Sequence, residues 1–303
     1  MGPGTVVYLH GMGGARPSWA DSLRVRADVI APDYSDLLSG SRDVDVASRA
    51  RQQAHHDSLD ESALVRERES YLARQRSLAD VVQAVGEAMP AGSSWPAVLP
   101  HPARLPDRLP LPQVLRSPVF GIDQVGRYLD DESRRGAVLD RVRDCLQRAK
   151  PPVVVLAHSL GSVVAVDMLA DLPCDLGALI TLGSPLGHQA VADEVAPAPF
   201  PYARVGAWAN LVHLLDPVPF GRGLADRFPA AHDVYLPVLA GLSARSAVQA
   251  PAPTTWADAR RALPWVTQGI ARAATAHLET TYLSTRTMAA IVEFGLDRRV
   301  VAA

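Results

Sequence analysis

The run Val153-Val-Val-Leu-Ala-His-Ser-Leu-Gly161 constrains the fold more than any other stretch of the chain. Five apolar residues, the first three β-branched, lead into a small-x-Ser-x-Gly turn, and Ser162–Ala170 continues as an apolar stretch long enough for a buried helix. An unbroken apolar run, as opposed to an alternating one, marks a strand buried on both faces, which points to a parallel sheet covered by helices. A sharp strand-to-helix turn would hold its central side chain above the sheet. Small residues at Ala157 and Gly161 are expected to let strand and helix pass close together, leaving the Ser159 hydroxyl exposed at the tip. The competing reading is a serine that only caps the helix behind it.

This strand-turn-helix resembles the nucleophile elbow of the α/β-hydrolases, in the A-x-S-x-G form of some bacterial lipases. Ala157 stands where the commoner pattern has glycine. A second stretch carries the same resemblance. Thr5–Leu9 reads as a short buried strand, and His10-Gly-Met-Gly-Gly14 follows it as an HGxGG loop. No GxGxxG or GKS/GKT pattern accompanies these glycines, so a phosphate cradle is disfavoured. The resemblance implies an oxyanion hole made of the Met12 and Leu160 backbone N–H groups. Gly183-Ser-Pro-Leu-Gly187 resembles the G-[ST]-P turn that many lipases carry one strand after the nucleophile. His10, Gly11, His158, Ser184, Pro185 and Leu186 are accordingly expected around the substrate, with a packing role for the His10 ring.

Ser159, Asp216 and His277 stand in the chain order of the α/β-hydrolase triad. A serine hydroxyl is a weak nucleophile, so it needs a neutral imidazole to take its proton and a carboxylate to orient that imidazole. Asp216 follows the apolar run Asn210–Leu215 and is flanked by Pro217 and Pro219. Asp233 and Asp226 are its rivals. His277 lies in an H-x-x-x-x-Y-L setting that resembles the histidine loop of lipase-like members, and it is preferred over His232, which begins the strand expected at His232–Leu236. His213 falls inside a strand, and His188 comes early for a base.

Composition bounds the rest. The chain has 303 residues, 48% of them hydrophobic and 20% charged, with a net charge of −2. That suffices for one sizeable core and offers no electrostatic case for nucleic acid. No run approaches a membrane span. The first residues show no basic segment followed by a long apolar one, so a cytoplasmic protein is expected. Cys145 and Cys174, the two cysteines, lack CxxC spacing or a nearby histidine and are read as free thiols. His55-His-Asp57 reads as a solvated helix face, since adjacent histidines point in different directions.

The fold expected is a single α/β-hydrolase domain over residues 1–303. Its mainly parallel sheet has about six strands with helices on both faces, trimmed of two strands that usually begin the family's sheet. Residues 40–130 form an insertion. Its first half, 41–89, is polar with apolar residues at helical spacing (Leu78, Val82, Val85), whereas 90–118 holds eight prolines with Trp95. That second half is read either as a lid or apolar wall over the site or as an irregular surface loop. The activity implied by the resemblance is ester hydrolysis of a small-molecule ester or acyl substrate, lipase- or carboxylesterase-like, with no metal or organic cofactor. Thioester, amide or peptide cleavage on the same site is the nearest alternative. A regulatory module that uses the insertion to bind a protein partner is the more distant one.

Overall fold

A computed structural model describes residues 4–11, 14, 19–39, 61–89, 123–195, 199–214, 216–219, 221–237 and 276–297. The elbow strand β3 (Val153–His158) is the axis of the sheet, and all six of its residues are buried. It pairs in parallel with β1 (Thr5–Leu9) on one side and β4 (Ala178–Leu182) on the other. The sheet extends beyond β4 through β5 (Trp208–His213) and β6 (His232–Leu236), and beyond β1 through β2 (Asp28–Ile30). The order is β2-β1-β3-β4-β5-β6, parallel throughout. The expected α/β architecture is therefore observed.

Two elements are bounded differently from the sequence expectation. Ala27–Tyr34, closed by Pro32, reads in sequence as the second strand, but the strand is three residues long, because it is an edge strand with one hydrogen-bonded neighbour and two exposed residues. The fifth strand begins at Trp208 and ends at His213, two residues before the end of its apolar run. Pairing of Trp208 with Leu179 sets that register.

Successive strand residues point to opposite faces, and both faces are apolar because helices cover both. On one face Val7, Leu9, Val155, Ala157 and Trp208 pack with α4 (Asp123–Asp130), α5 (Glu132–Arg148), α6 (Leu160–Met168) and α7 (Gln189–Val195). On the other, Val6, Tyr8, Val154, Leu156 and Ile180 pack with α1 (Trp19–Ser22), α8 (Glu279–Leu283) and α9 (Arg286–Leu296). The short α2 (Ser35–Ser39) adds Leu38 to the first face. Each fully buried Val or Leu contributes about 1.5–3 kcal/mol. The helices start where their caps dictate: Asp131 accepts from the Arg134 N–H at 3.0 Å ahead of α5, and Thr285 accepts from the Met288 N–H at 3.1 Å ahead of α9. Tyr128 and Arg135 both bond the buried Asp167, at 2.6 and 2.5 Å, tying α4 and α5 to α6.

The apolar spacing in 41–89 predicts one or two long helices, and among the described residues that range holds α3 (Glu61–Val85). Its placement bears on the insertion. Gln75 bonds both the N–H and C=O of Trp208, each at 3.0 Å, and the Ala230 C=O at 2.9 Å. Arg74 reaches the Gly206 C=O at 3.1 Å, and just past the helix the Met89 N–H bonds the Tyr235 C=O at 2.9 Å. The middle of the helix thus crosses the starts of β5 and β6, the segment past it reaches Tyr235 near the carboxyl end of β6, and Leu78 and Val82 join the core on the α9 side. Residues 61–89 of the insertion are part of the sheet's cover, and Arg74 and Gln75 meet β5 at the end opposite its His213 terminus. Residues 90–118, read as a lid or loop, and His55–Asp57 lie outside the described residues, as does Trp256–Ala274, which reads in sequence as an apolar helix. Among the described residues no helix is long and apolar enough to cross a membrane.

Candidate active site

In this strand order the chain leaves β1 for β2 on one side and later returns to β3 on the other. The carboxyl ends of β1 and β3 therefore flank a topological switch point, where a parallel sheet opens a crevice. His10 and Gly11 leave β1 at that crevice, and Ser159 leaves β3.

Ser159 occupies φ 53°, ψ −121°, and among the described residues it is the one non-glycine with positive φ. Such a conformation costs about 1–3 kcal/mol and persists only where the surroundings hold it. Here the Ser159 N–H bonds the Leu182 C=O at 2.9 Å, and the Ser162 hydroxyl bonds the Ser159 C=O at 2.6 Å. The Ser184 hydroxyl, 2.7 Å from Ser162 Oγ, extends this chain, and the Leu186 N–H donates to Ser184 at 3.2 Å. Gly161 has a different task from the one expected. A side chain there would come within 2.1 Å of the Leu9 carbonyl oxygen, so the missing Cβ clears the neighbouring strand β1, not the helix's own strand. Ser159 makes no side-chain cap bond to α6, which removes the plain capping reading.

Asp216 lies three residues beyond β5, where its N–H closes a turn onto the His213 C=O at 3.0 Å. Its side chain is fully buried. Oδ1 accepts the Val218 N–H at 2.8 Å, and Oδ2 accepts the Tyr282 hydroxyl at 2.5 Å. His277 Nδ1 stands 3.0 and 2.9 Å from the two carboxylate oxygens, and its Nε2 stands 3.1 Å from Ser159 Oγ. A carboxylate only accepts, so Nδ1 carries the proton of the neutral ring and Nε2 offers its lone pair to the serine hydroxyl. The structure brings together all three residues that the sequence singled out as a set.

The rivals are placed elsewhere. His232 opens β6 opposite Ala209 near the amino-terminal ends of the strands, and burial lowers its pKa below the usual 6.5. Asp233 accepts from Asn210 Nδ2 and from the Leu224 and Ala225 N–H groups at 2.8, 2.7 and 3.0 Å, which commits it to the 221–225 loop. Asp226 is exposed, and His213 is buried at the end of β5. His188 is buried, and its Nε2 donates to the Val218 C=O at 2.9 Å, fastening the loop that carries Asp216.

The residues expected around the substrate divide by what their atoms touch. A side chain at Gly11 would lie 3.0 Å from Ser159 Cβ, so the backbone of residue 11 borders Ser159. Leu160 opens α6, and the first amides of a helix have no acceptor within it. The Met12 N–H, the other expected oxyanion donor, lies outside the described residues. The remaining side chains face inward. His10 is buried and stacks on Tyr34 with ring centroids 4.0 Å apart, its Nδ1 donating to the Gly11 C=O at 2.7 Å and its Nε2 accepting from the Tyr34 N–H at 3.4 Å. His158 Nε2 donates to the His277 C=O at 2.8 Å. Ser184, Pro185 and Leu186 are buried in the turn after β4. All five side chains are buried, and the three polar ones bond within the protein, because the elbow and the two loops beside it are themselves buried and need polar partners.

Two further residues belong to the constellation. Gly183, at φ 52°, packs so tightly that a Cβ would sit 2.6 Å from Asp216 Oδ2 and 3.1 Å from His277 Nδ1. Tyr282 contacts the acid directly. The first stands in the G-[ST]-P turn and the second in the H-x-x-x-x-Y-L setting, so both were visible as motif members without a role. Among the described residues no group of three or more His, Cys, Asp or Glu side chains is placed to hold a metal ion. Cys145 and Cys174 are free thiols whose pKa values are raised, chiefly by burial. Comparison of the chain with protein-family models, curated proteins and solved structures gives no match.

Proposed function

We propose that this protein is a serine hydrolase of carboxylic esters in the manner of the α/β-hydrolases. The observation that carries the proposal is the continuous Asp216–His277–Ser159 relay at 2.9 and 3.1 Å, with the serine on a strained turn. Ser159 Oγ attacks the ester carbonyl carbon while its proton passes to His277 Nε2. The carbonyl oxygen takes the electron pair, and the Leu160 N–H, with a second amide from the loop after β1, receives its charge. Loss of one such donor costs about 3–4 kcal/mol of barrier. Collapse expels the alkoxide, which takes the proton from His277 and leaves as the alcohol. Water repeats the sequence on the acyl-enzyme and releases the acid. Throughout, the buried Asp216 keeps the ring in the productive tautomer and stabilises the imidazolium.

A fluorophosphonate probe followed by peptide mapping tests this reading. The expected result is one adduct, on Ser159, that is lost in a folded Ser159→Ala variant. Labelling that survives the substitution, or its absence from the wild type, overturns the nucleophile assignment. Acyl transfer of this kind also serves thioesters and amides, so matched ester, thioester and anilide substrates test the ester assignment, with the highest kcat/KM expected on the ester.

A further inference from the structure

We infer that Tyr282 is a positioning residue for this triad: its hydroxyl locks the Asp216 carboxylate onto His277 and draws off part of its charge. The inference rests on the proposed hydrolase reading and adds a fourth member to the relay.

The hydroxyl lies 2.5 Å from Oδ2, the same oxygen that stands 2.9 Å from His277 Nδ1. Its lone pair is taken by the His213 N–H at 3.2 Å, so its single proton is left to point at the carboxylate. Burial, followed by the nearby Asp216 charge, pushes the phenol well above its usual range, which keeps it a donor at any working pH. A fully buried carboxylate needs such donors, and among the described residues there are two besides the histidine: the Val218 N–H on Oδ1 and Tyr282 on Oδ2. With both oxygens held, the carboxylate is not free to rotate away from the ring.

The chain position of Tyr282 adds a second consequence. Base and tyrosine lie five residues apart on one segment, turned by a Thr281 N–H to Leu278 C=O bond of 3.0 Å, and His158 anchors that segment through the His277 C=O at 2.8 Å. Displacement of residues 276–283 withdraws the base from the serine and the donor from the acid together. Among the described residues, the titratable groups around Tyr282 and Asp216 are His277, His158 with its ring centroid 6.3 Å from the tyrosine, and His213 at 6.5 Å, with Glu279 on α8 itself. The shortest contact is the one to Asp216.

The test compares full-length wild type and Tyr282→Phe by the rate of fluorophosphonate inactivation and by kcat/KM on a nitrophenyl ester, each across pH. Phenylalanine keeps the ring and deletes the donor. A carboxylate with one donor fewer holds the imidazolium more tightly, so the acid limb of the rate profile should move to higher pH, with a loss of about tenfold on the plateau. A purely structural role would lower the rate in proportion to the folded fraction and leave the limb in place. Incorporation of 3-fluorotyrosine at 282 supplies the opposite perturbation, since a more acidic phenol is a stronger donor, and the limb should move to lower pH. If Tyr282→Phe does not fold, the fluorotyrosine protein alone decides. An unmoved acid limb in the folded variants overturns the inference while leaving the hydrolase reading intact. A wild type that neither reacts with the probe nor turns over ester overturns both.

Discussion

His277 and His232 differ by environment and not by residue type, and the difference sorts them chemically. The first has a carboxylate on one nitrogen and a serine hydroxyl on the other. The second begins the edge strand β6 near the amino-terminal ends of the strands, beside the charge of Asp233 and away from Ser159. We expect His277→Ala to lower kcat on an ester by roughly 10⁴-fold or more, because a triad fails as a unit. His232→Ala should change kcat by less than about threefold in folded protein, since it touches none of the reacting groups. Steady-state kinetics on the two variants check this, and the reverse pattern would move the base to residue 232. At the same scale Gly183 shows why a motif glycine can be needed. Its backbone lies in the left-handed region, and the space a Cβ would fill is taken by the Asp216 carboxylate and the His277 ring.

Helix α3 joins parts of the sheet that are far apart in sequence. One side chain, Gln75, completes three backbone hydrogen bonds at the starts of β5 and β6. Gln75→Leu keeps the approximate volume and removes all three. Half-buried backbone groups left without partners cost about 1–3 kcal/mol, so the denaturant midpoint should fall by that equivalent. Turnover per folded molecule should stay as in the wild type, because these contacts lie at the strand ends away from Ser159. Chemical denaturation paired with active-site titration checks both halves. A large loss of turnover in fully folded Gln75→Leu would show that α3 supports the site after all. The sequence marked α3 as helical from Leu78, Val82 and Val85, but the strand ends it would cross lie more than 130 residues further on, where periodicity carries no information.

Over the whole molecule, two histidines, the buried His10 and the half-buried His232, tie stability to pH. Burial is the largest cause that lowers the pKa of both His10 and His232 below 6.5. The folded state therefore holds them neutral, while the unfolded chain takes up protons as the pH falls through 6.5, and stability follows the state that binds fewer protons downward. Stability should be level above about pH 7 and decline from pH 6.5 until each histidine reaches its own folded value. Asp33 and Asp131 have lowered pKa values, from hydrogen bonds first, and their stabilisation is lost in the same direction but below about pH 4, a separate window. Urea midpoints at half-unit intervals from pH 8 to 5 measure the effect, and it should shrink in His232→Gln. A midpoint flat across that range would contradict the lowered pKa values of both rings.

What the sequence determined by itself was the set of local elements and the chemistry each could bear. An unbroken apolar run at 153–157, a turn of small residues around Ser159 and an apolar helix behind it can satisfy their backbones in few ways, and a covered parallel sheet is the way observed. The order of serine, aspartate and histidine was legible for the same reason, since each follows a local signal. Tertiary structure alone decided which of several histidines and aspartates meets the serine, because Ser159 and His277 are 118 residues apart and only the strand order brings their loops together. It also decided that Gly161 clears the Leu9 carbonyl of β1, that Tyr282 reaches Asp216, and that His10, His158 and Ser184 turn inward. Those facts depend on burial and on contacts between distant segments. A residue's type lists the bonds it can make, and packing selects the partner that takes them.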